Sequence, residues 1–195
     1  MANKKTNEEI REENVAATVS ATEKFVYTPS VAQAQENTYV AELNFQSGEY
    51  ELALNGDGTN MGFAQVCDKY GAKAGKAVYL YAGTCCAQLG QWEEALSYLK
   101  KYNGGEPILA ARALALQGDC YSALGNNAEA VKMYEKAAAK ADNLFAADYL
   151  VKAGQTYAAM GQNDKALAAY KTVKEKYQMS IEGSLIDKYI NELGK

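Results

Sequence analysis

Three stretches of this chain can be laid over one another. KAVYLYAGTCCAQLGQWEEALSYLKKYNGGEP begins at Lys76, ARALALQGDCYSALGNNAEAVKMYEKAAAKAD at Ala111 and ADYLVKAGQTYAAMGQNDKALAAYKTVKEKYQ at Ala147. They are offset by 35 and 36 residues, and the same residue types return at the same places. Gly83, Gly118 and Gly154 align, as do Gly90, Gly125 and Gly161. Ala95, Ala130 and Ala166 align, and Leu99, Tyr134 and Tyr170 follow each alanine by one helical turn. A period of this length means stacked units that each bury an apolar face against the next.

Each recurring residue has a physical reason. A mid-helix glycine costs about 1 kcal/mol in helix propensity, so Gly83, Gly118 and Gly154 mark close approach of a neighbouring helix. The alanines answer that approach from the second helix. Gly90, Gly125 and Gly161 suit a left-handed residue that ends the first helix. Pro107 suits a first helical turn, where its missing N–H is not needed. The tyrosines fill gaps between helices and keep a hydroxyl near water. Proline is otherwise found only at Pro29. With 48% hydrophobic residues in 195, the chain has enough material for a core and reads as all-α.

This pattern resembles the tetratricopeptide repeat, through Tyr79, Gly83, Gly90, Trp92, Ala95 and Pro107 in the first copy. The second copy offers Gly118, Tyr121, Gly125, Ala130, Tyr134 and Ala137, and the third Gly154, Tyr157, Gly161, Ala166 and Tyr170. Cys86 stands where the first helix usually carries an aromatic residue. A weaker copy, AQENTYVAELNFQSGEYELAL, starts at Ala34 with Ala41 in place of the mid-helix glycine. It keeps Gly48, Tyr50 and Ala53, but NGDGTNMG interrupts its second helix, and FAQVCDKYG resumes the packing. Leu185, Ile186, Tyr189, Ile190 and Leu193 form an apolar stripe on a terminal capping helix. The expectation is an α-solenoid of helical hairpins. It has a polar, disordered tail over 1–30 and a repeat domain over 31–195. Within that domain we expect a degenerate hairpin at 34–73, repeats at about 76–107, 111–142 and 147–178, and a cap at about 184–193.

Several functions are disfavoured. Histidine is absent, which removes the commonest general base and most zinc sites. Cys67, Cys85, Cys86 and Cys120 form no C-x-x-C pair and read as small buried apolar residues. Net charge is −4 without a basic stripe, so nucleic acid is not the expected partner. Asn55–Asn60 has calcium-loop residue types, but Asn60 and Val66 stand where such a loop needs glycine and glutamate. It reads as an ordered turn. Glu93 and Glu94 read as support for a helix N-terminus rather than an acid–base pair. No enzyme activity, small-molecule substrate, cofactor or metal is expected.

The repeat resemblance implies a concave groove lined by first helices. Its positions here are Leu80, Tyr81 and Thr84; Arg112, Leu116, Asp119 and Ser122; and Asp148, Lys152, Gln155 and Ala159. Leu80, Thr84 and Leu116 replace the lysine and asparagines with which some members clamp a carboxyl terminus, so that clamp is absent. The function this implies is a scaffold binding protein or peptide segments. A module that associates with itself through an unfinished solenoid end is the alternative. The polar N-terminus, VYTP, ALNGDG, GF and KAG followed by regular repeats also resemble membrane-anchored tetratricopeptide proteins of Gram-negative envelopes. Those are the ancillary Sec-translocon subunit and cell-division coordinator type. That resemblance implies repeats on the periplasmic side of the inner membrane. It also implies a transmembrane helix between Phe25 and Val26 that this sequence lacks.

Overall fold

The computed structural model describes residues 31–193. The expectations for the tail and for the Phe25–Val26 junction lie outside the described residues. Within them the chain is all helix apart from turns and one isolated bridge, Gly56 to Met61. The helices are α1 (31–46), α2 (Tyr50–Asn55), α3 (Phe63–Tyr70), α4 (Ala77–Gln88) and α5 (Trp92–Leu99). They continue as α6 (Pro107–Ala123), α7 (Asn127–Ala141), α8 (Phe145–Ala159), α9 (Asn163–Lys176) and α10 (Ile181–Glu192). A 3₁₀ turn, Gly71–Ala74, links α3 to α4.

Consecutive helices pack as antiparallel hairpins, α4 on α5, α6 on α7 and α8 on α9, and each hairpin packs on the next. The turn inside each hairpin is the same object. Gly90 has φ 75°, its N–H donates to the Ala87 carbonyl at 3.1 Å, and Gln91 N–H donates to Cys86 at 2.8 Å. Gly125 with Asn126 and Gly161 with Gln162 repeat both bonds, so the last carbonyls of α6 and α8 are satisfied. Gly48 with Glu49 does the same at the end of α1, which shows that the weak upstream copy turns like the others.

The mid-helix glycines face side chains rather than a bare helix. A Cβ on Gly118 would lie 2.5 Å from Tyr134 Cε1, and one on Gly154 would lie 2.3 Å from Tyr170 Cε1. At Gly83 the neighbour is Leu99 Cγ at 2.6 Å. In the first hairpin the residue one turn after Ala53 is Asp57, which has left the helix for the 56–62 hairpin. Ala41, at the mid-helix glycine position, is accommodated fully buried in the core. The hairpin is ordered by Asp57, whose carboxylate accepts from Thr59 N–H, Asn60 N–H and Asn60 Nδ2 at 2.6–2.9 Å. Those bonds hold its carboxyl well below the usual range, at about 2.

The largest core joins α2 through α6 with part of α1 around Phe63, Val66, Leu99 and all four cysteines, which are buried and unbridged. Smaller apolar clusters continue it between α6, α7 and α8 and between α8, α9 and α10. Ser180 caps α10 by accepting from Gly183 N–H at 2.9 Å, so this helix begins before the anticipated stripe. Ile186 is buried, with Tyr189, Ile190 and Leu193 packed beside it. Leu185 is a correction: it is 52% exposed, because it sits about 100° round the helix from Ile186.

Candidate functional site

α4, α6 and α8 are the first helices of their hairpins and line one face of the solenoid. Leu80 and Leu116 present almost no surface there, since both are buried in the core. Tyr81 is half-buried, stacked on Phe63 at 5.2 Å between ring centroids and tilted against Phe45 at 5.1 Å. The Thr84 hydroxyl donates to the Leu80 carbonyl of its own helix at 2.7 Å. The α4 part of the face is thus apolar and internally satisfied.

The polar part lies between α6 and α8. Lys152 Nζ donates to both Asp119 oxygens, at 2.9 and 3.0 Å, joining the two helices. The Tyr134 hydroxyl, from α7 behind them, donates to Asp119 Oδ1 at 2.9 Å. Lys152 Nζ also lies 5.9 Å from the Tyr134 ring centroid. Burial, reinforced by the Asp119 charge, pushes the Tyr134 phenol upward, so it remains a donor. The ion pair is one-third exposed, which limits it to about 1 kcal/mol of stabilisation. It ties the third hairpin to the second across the lining face.

Asp148, one turn before Lys152 on α8, is half-buried and forms no ion pair among the described residues. Burial raises its carboxyl above the ordinary range. Lys152 and Arg112 oppose the shift, while Glu182 and Asp119 add to it. Arg112 is exposed on the same face, with Gln155 and Ala159 exposed further along α8 and Ser122 partly covered. The structure therefore brings Arg112, Asp119, Asp148 and Lys152 together and leaves Leu80 and Leu116 inside.

Sequence reasoning missed two participants. The repeat pattern assigns Tyr134 to gap filling, yet its hydroxyl also orients Asp119; the aspartate directly after Gly118 is the available signal. Glu182 on α10 acts on Asp148 from a helix read only as a cap. The thiols offer no nucleophile: burial pushes Cys67, Cys85 and Cys86 up to about 12 and Cys120 to about 11.

Hairpins of this period, with a packing glycine, a shared turn and a common lining face, define a tetratricopeptide-like helical-repeat fold. A tetratricopeptide-repeat family model matches residues 148–178. A second model, described as the N-terminal domain of the T7SS, ESX-1 secretion system protein EccA1, matches residues 64–153. Two solved structures titled as MamA are similar in fold. One has TM-score 0.59 and 18% identity, covering 79% of this chain and 92% of that one. The other has TM-score 0.60 and 17% identity, covering 85% and 88%. No curated protein matches the sequence.

Proposed function

We propose that the chain is a non-enzymatic interaction scaffold that holds an extended protein segment along the face of α4, α6 and α8, with α10 closing one end. The observation that carries this reading is Asp148. A half-buried carboxylate that forms no ion pair among the described residues is held there at a cost that Lys152 and Arg112 offset only in part, and a basic group from a bound segment would offset it further. Arg112 beside it suits an acidic group or a carbonyl on the same segment. The apolar end around Tyr81 suits a large side chain. Helical-repeat folds present extended surfaces of this kind, and the high-lying thiols supply no catalytic group.

The envelope resemblance supports reading such partners as translocated or envelope proteins, with the repeats on the periplasmic side. No described helix is long and apolar enough to cross a membrane. Panning a random displayed-peptide library against the full chain tests the scaffold reading. Enriched peptides are expected to carry a lysine or arginine and to lose about tenfold in affinity against Asp148→Ala. Failure to enrich any peptide, or equal binding by the variant, would overturn it.

The alternative, a self-associating module, is favoured by Tyr39 and Leu43, exposed one turn apart on α1 at the first end of the stack. Sedimentation equilibrium of the parent and of Tyr39→Ser/Leu43→Ser decides it. A monomeric parent removes that reading.

A further inference from the structure

The two long edges of the solenoid differ in chemistry. One carries the turns within hairpins, the other the links between them. The links form a continuous edge. Lys76, before α4, donates to the Asn103 carbonyl in the α5–α6 link at 3.3 Å. Tyr177, after α9, donates to Asp142 in the α7–α8 link at 3.3 Å. Asn37, in the second turn of α1, donates to the Tyr70 hydroxyl at the end of α3. The start of α1 therefore lies on this edge too.

Large apolar side chains stand out along the linking edge at the repeat period. They are Ile108 and Leu109, Leu144 and Phe145, then Met179 and Ile181. Phe145 is 59% exposed, Ile181 77% and Met179 89%. The edge with the hairpin turns exposes Leu43, Leu52 and Leu124, none of them more than half exposed. Charge divides the same way. The second helices begin with Glu93 and Glu94, Glu129 and Asp164 on the turn edge. Lys73, Lys100, Lys101, Lys140 and Lys176 stand at or just past helix ends on the linking edge. Of the acids there, Glu106 is occupied by Ile108 and Leu109 N–H, and Asp142 accepts from Tyr177. Asp68 and Glu175 stand exposed among the lysines.

We infer that the linking edge rests on an anionic lipid surface, with Leu144, Phe145, Met179 and Ile181 entering the headgroup region and the lysines meeting lipid phosphates. These side chains are more than half exposed, so they fit a deformable apolar medium better than a preformed pocket. Lysine is depleted at protein interfaces, whereas long lysine side chains beside exposed aromatic and aliphatic residues suit a membrane surface. Each lysine near an anionic surface contributes favourably, and the overall charge of −4 does not prevent this, because Lys73, Lys76, Lys100, Lys101, Lys140 and Lys176 outnumber the exposed acids Asp68, Glu106, Asp142 and Glu175 on this edge. This contact leaves the α4–α6–α8 face free and is independent of the peptide-binding proposal.

Co-sedimentation of the full chain with phosphatidylcholine vesicles, with and without phosphatidylglycerol, tests the inference. The parent is expected to bind the anionic vesicles and to release them at high salt. Leu144→Ser/Phe145→Ser should lower partitioning by about tenfold or more. Lys100→Glu/Lys101→Glu should lower it selectively on anionic vesicles, and Leu124→Ser should not change it. All three are surface changes, and circular dichroism checks that the helices persist. Absence of parent binding, or parent-like binding by Leu144→Ser/Phe145→Ser, would overturn the inference. If the parent instead self-associates and that double variant does not, the edge is a contact between copies and the lipid assignment is wrong.

Discussion

At Gly118 one methyl group would sit 2.5 Å from Cε1 of Tyr134 and 2.7 Å from Cδ1, closer than carbon atoms approach. Gly118→Leu is therefore expected to lower stability by about 1–3 kcal/mol or more through overpacking, read as a lower denaturant midpoint. An unchanged midpoint would show that the ring can move aside freely. The sequence showed that Gly118 and Tyr134 each recur, but not that they face one another, because a period along one chain carries no cross-helix register. Asp148 yields a second residue-scale prediction. Its folded carboxyl is raised above the unfolded value, so the folded state holds the proton more tightly. Stability then falls as pH rises through the interval between the ordinary carboxylate range and the raised folded value. Asp148→Asn should raise the neutral-pH midpoint and flatten this dependence, while weakening the peptides selected on the parent. A variant that gains stability and keeps full peptide affinity would mean that Asp148 serves no ligand.

At the scale of elements, the hairpin turns were legible because their chemistry is local. Gly125 has φ 75° and sends its N–H back to Ser122, a geometry a side chain adopts only with strain. Gly125→Ala should cost about 1 kcal/mol and speed amide exchange at the end of α6 and the start of α7. Parent-like exchange there would contradict a turn held by that glycine. The cap helix was less legible. Its stripe was visible, but Leu185 could not be assigned to one side until Ser180 fixed where the helix starts. Ser180→Ala removes that cap, and about 1 kcal/mol of helix stability with it, so amide protection in α10 should drop ahead of α6 and α7. Uniform protection across all helices would mean that α10 is not the weaker end. The interrupted second helix of the first hairpin was foreseen from NGDGTNMG, since Asp57 and its glycines form a turn needing no distant partner.

Over the whole molecule, the period specified a stack of hairpins. What it left open was the chemistry of the lining face, because each repeat can fill that face differently on the same backbone. Leu80 and Leu116 followed the repeat register and still turned inward, while Arg112, Asp119, Asp148 and Lys152 gathered at one joint. The stack also buries its four thiols, so at mildly alkaline pH the folded chain should react slowly with a disulfide reagent and fully once unfolded. Rapid reaction of the folded chain would show that the hairpins part readily. The scaffold role requires a partner to lie along the face of α4, α6 and α8. Hydrogen–deuterium exchange of the full chain, with and without a saturating library-selected peptide, measures this directly. Added protection concentrated in α6 and α8 around Arg112, Asp119, Asp148 and Lys152 is the predicted result. Protection confined to α5, α7 and α9, with that face unchanged, would contradict it.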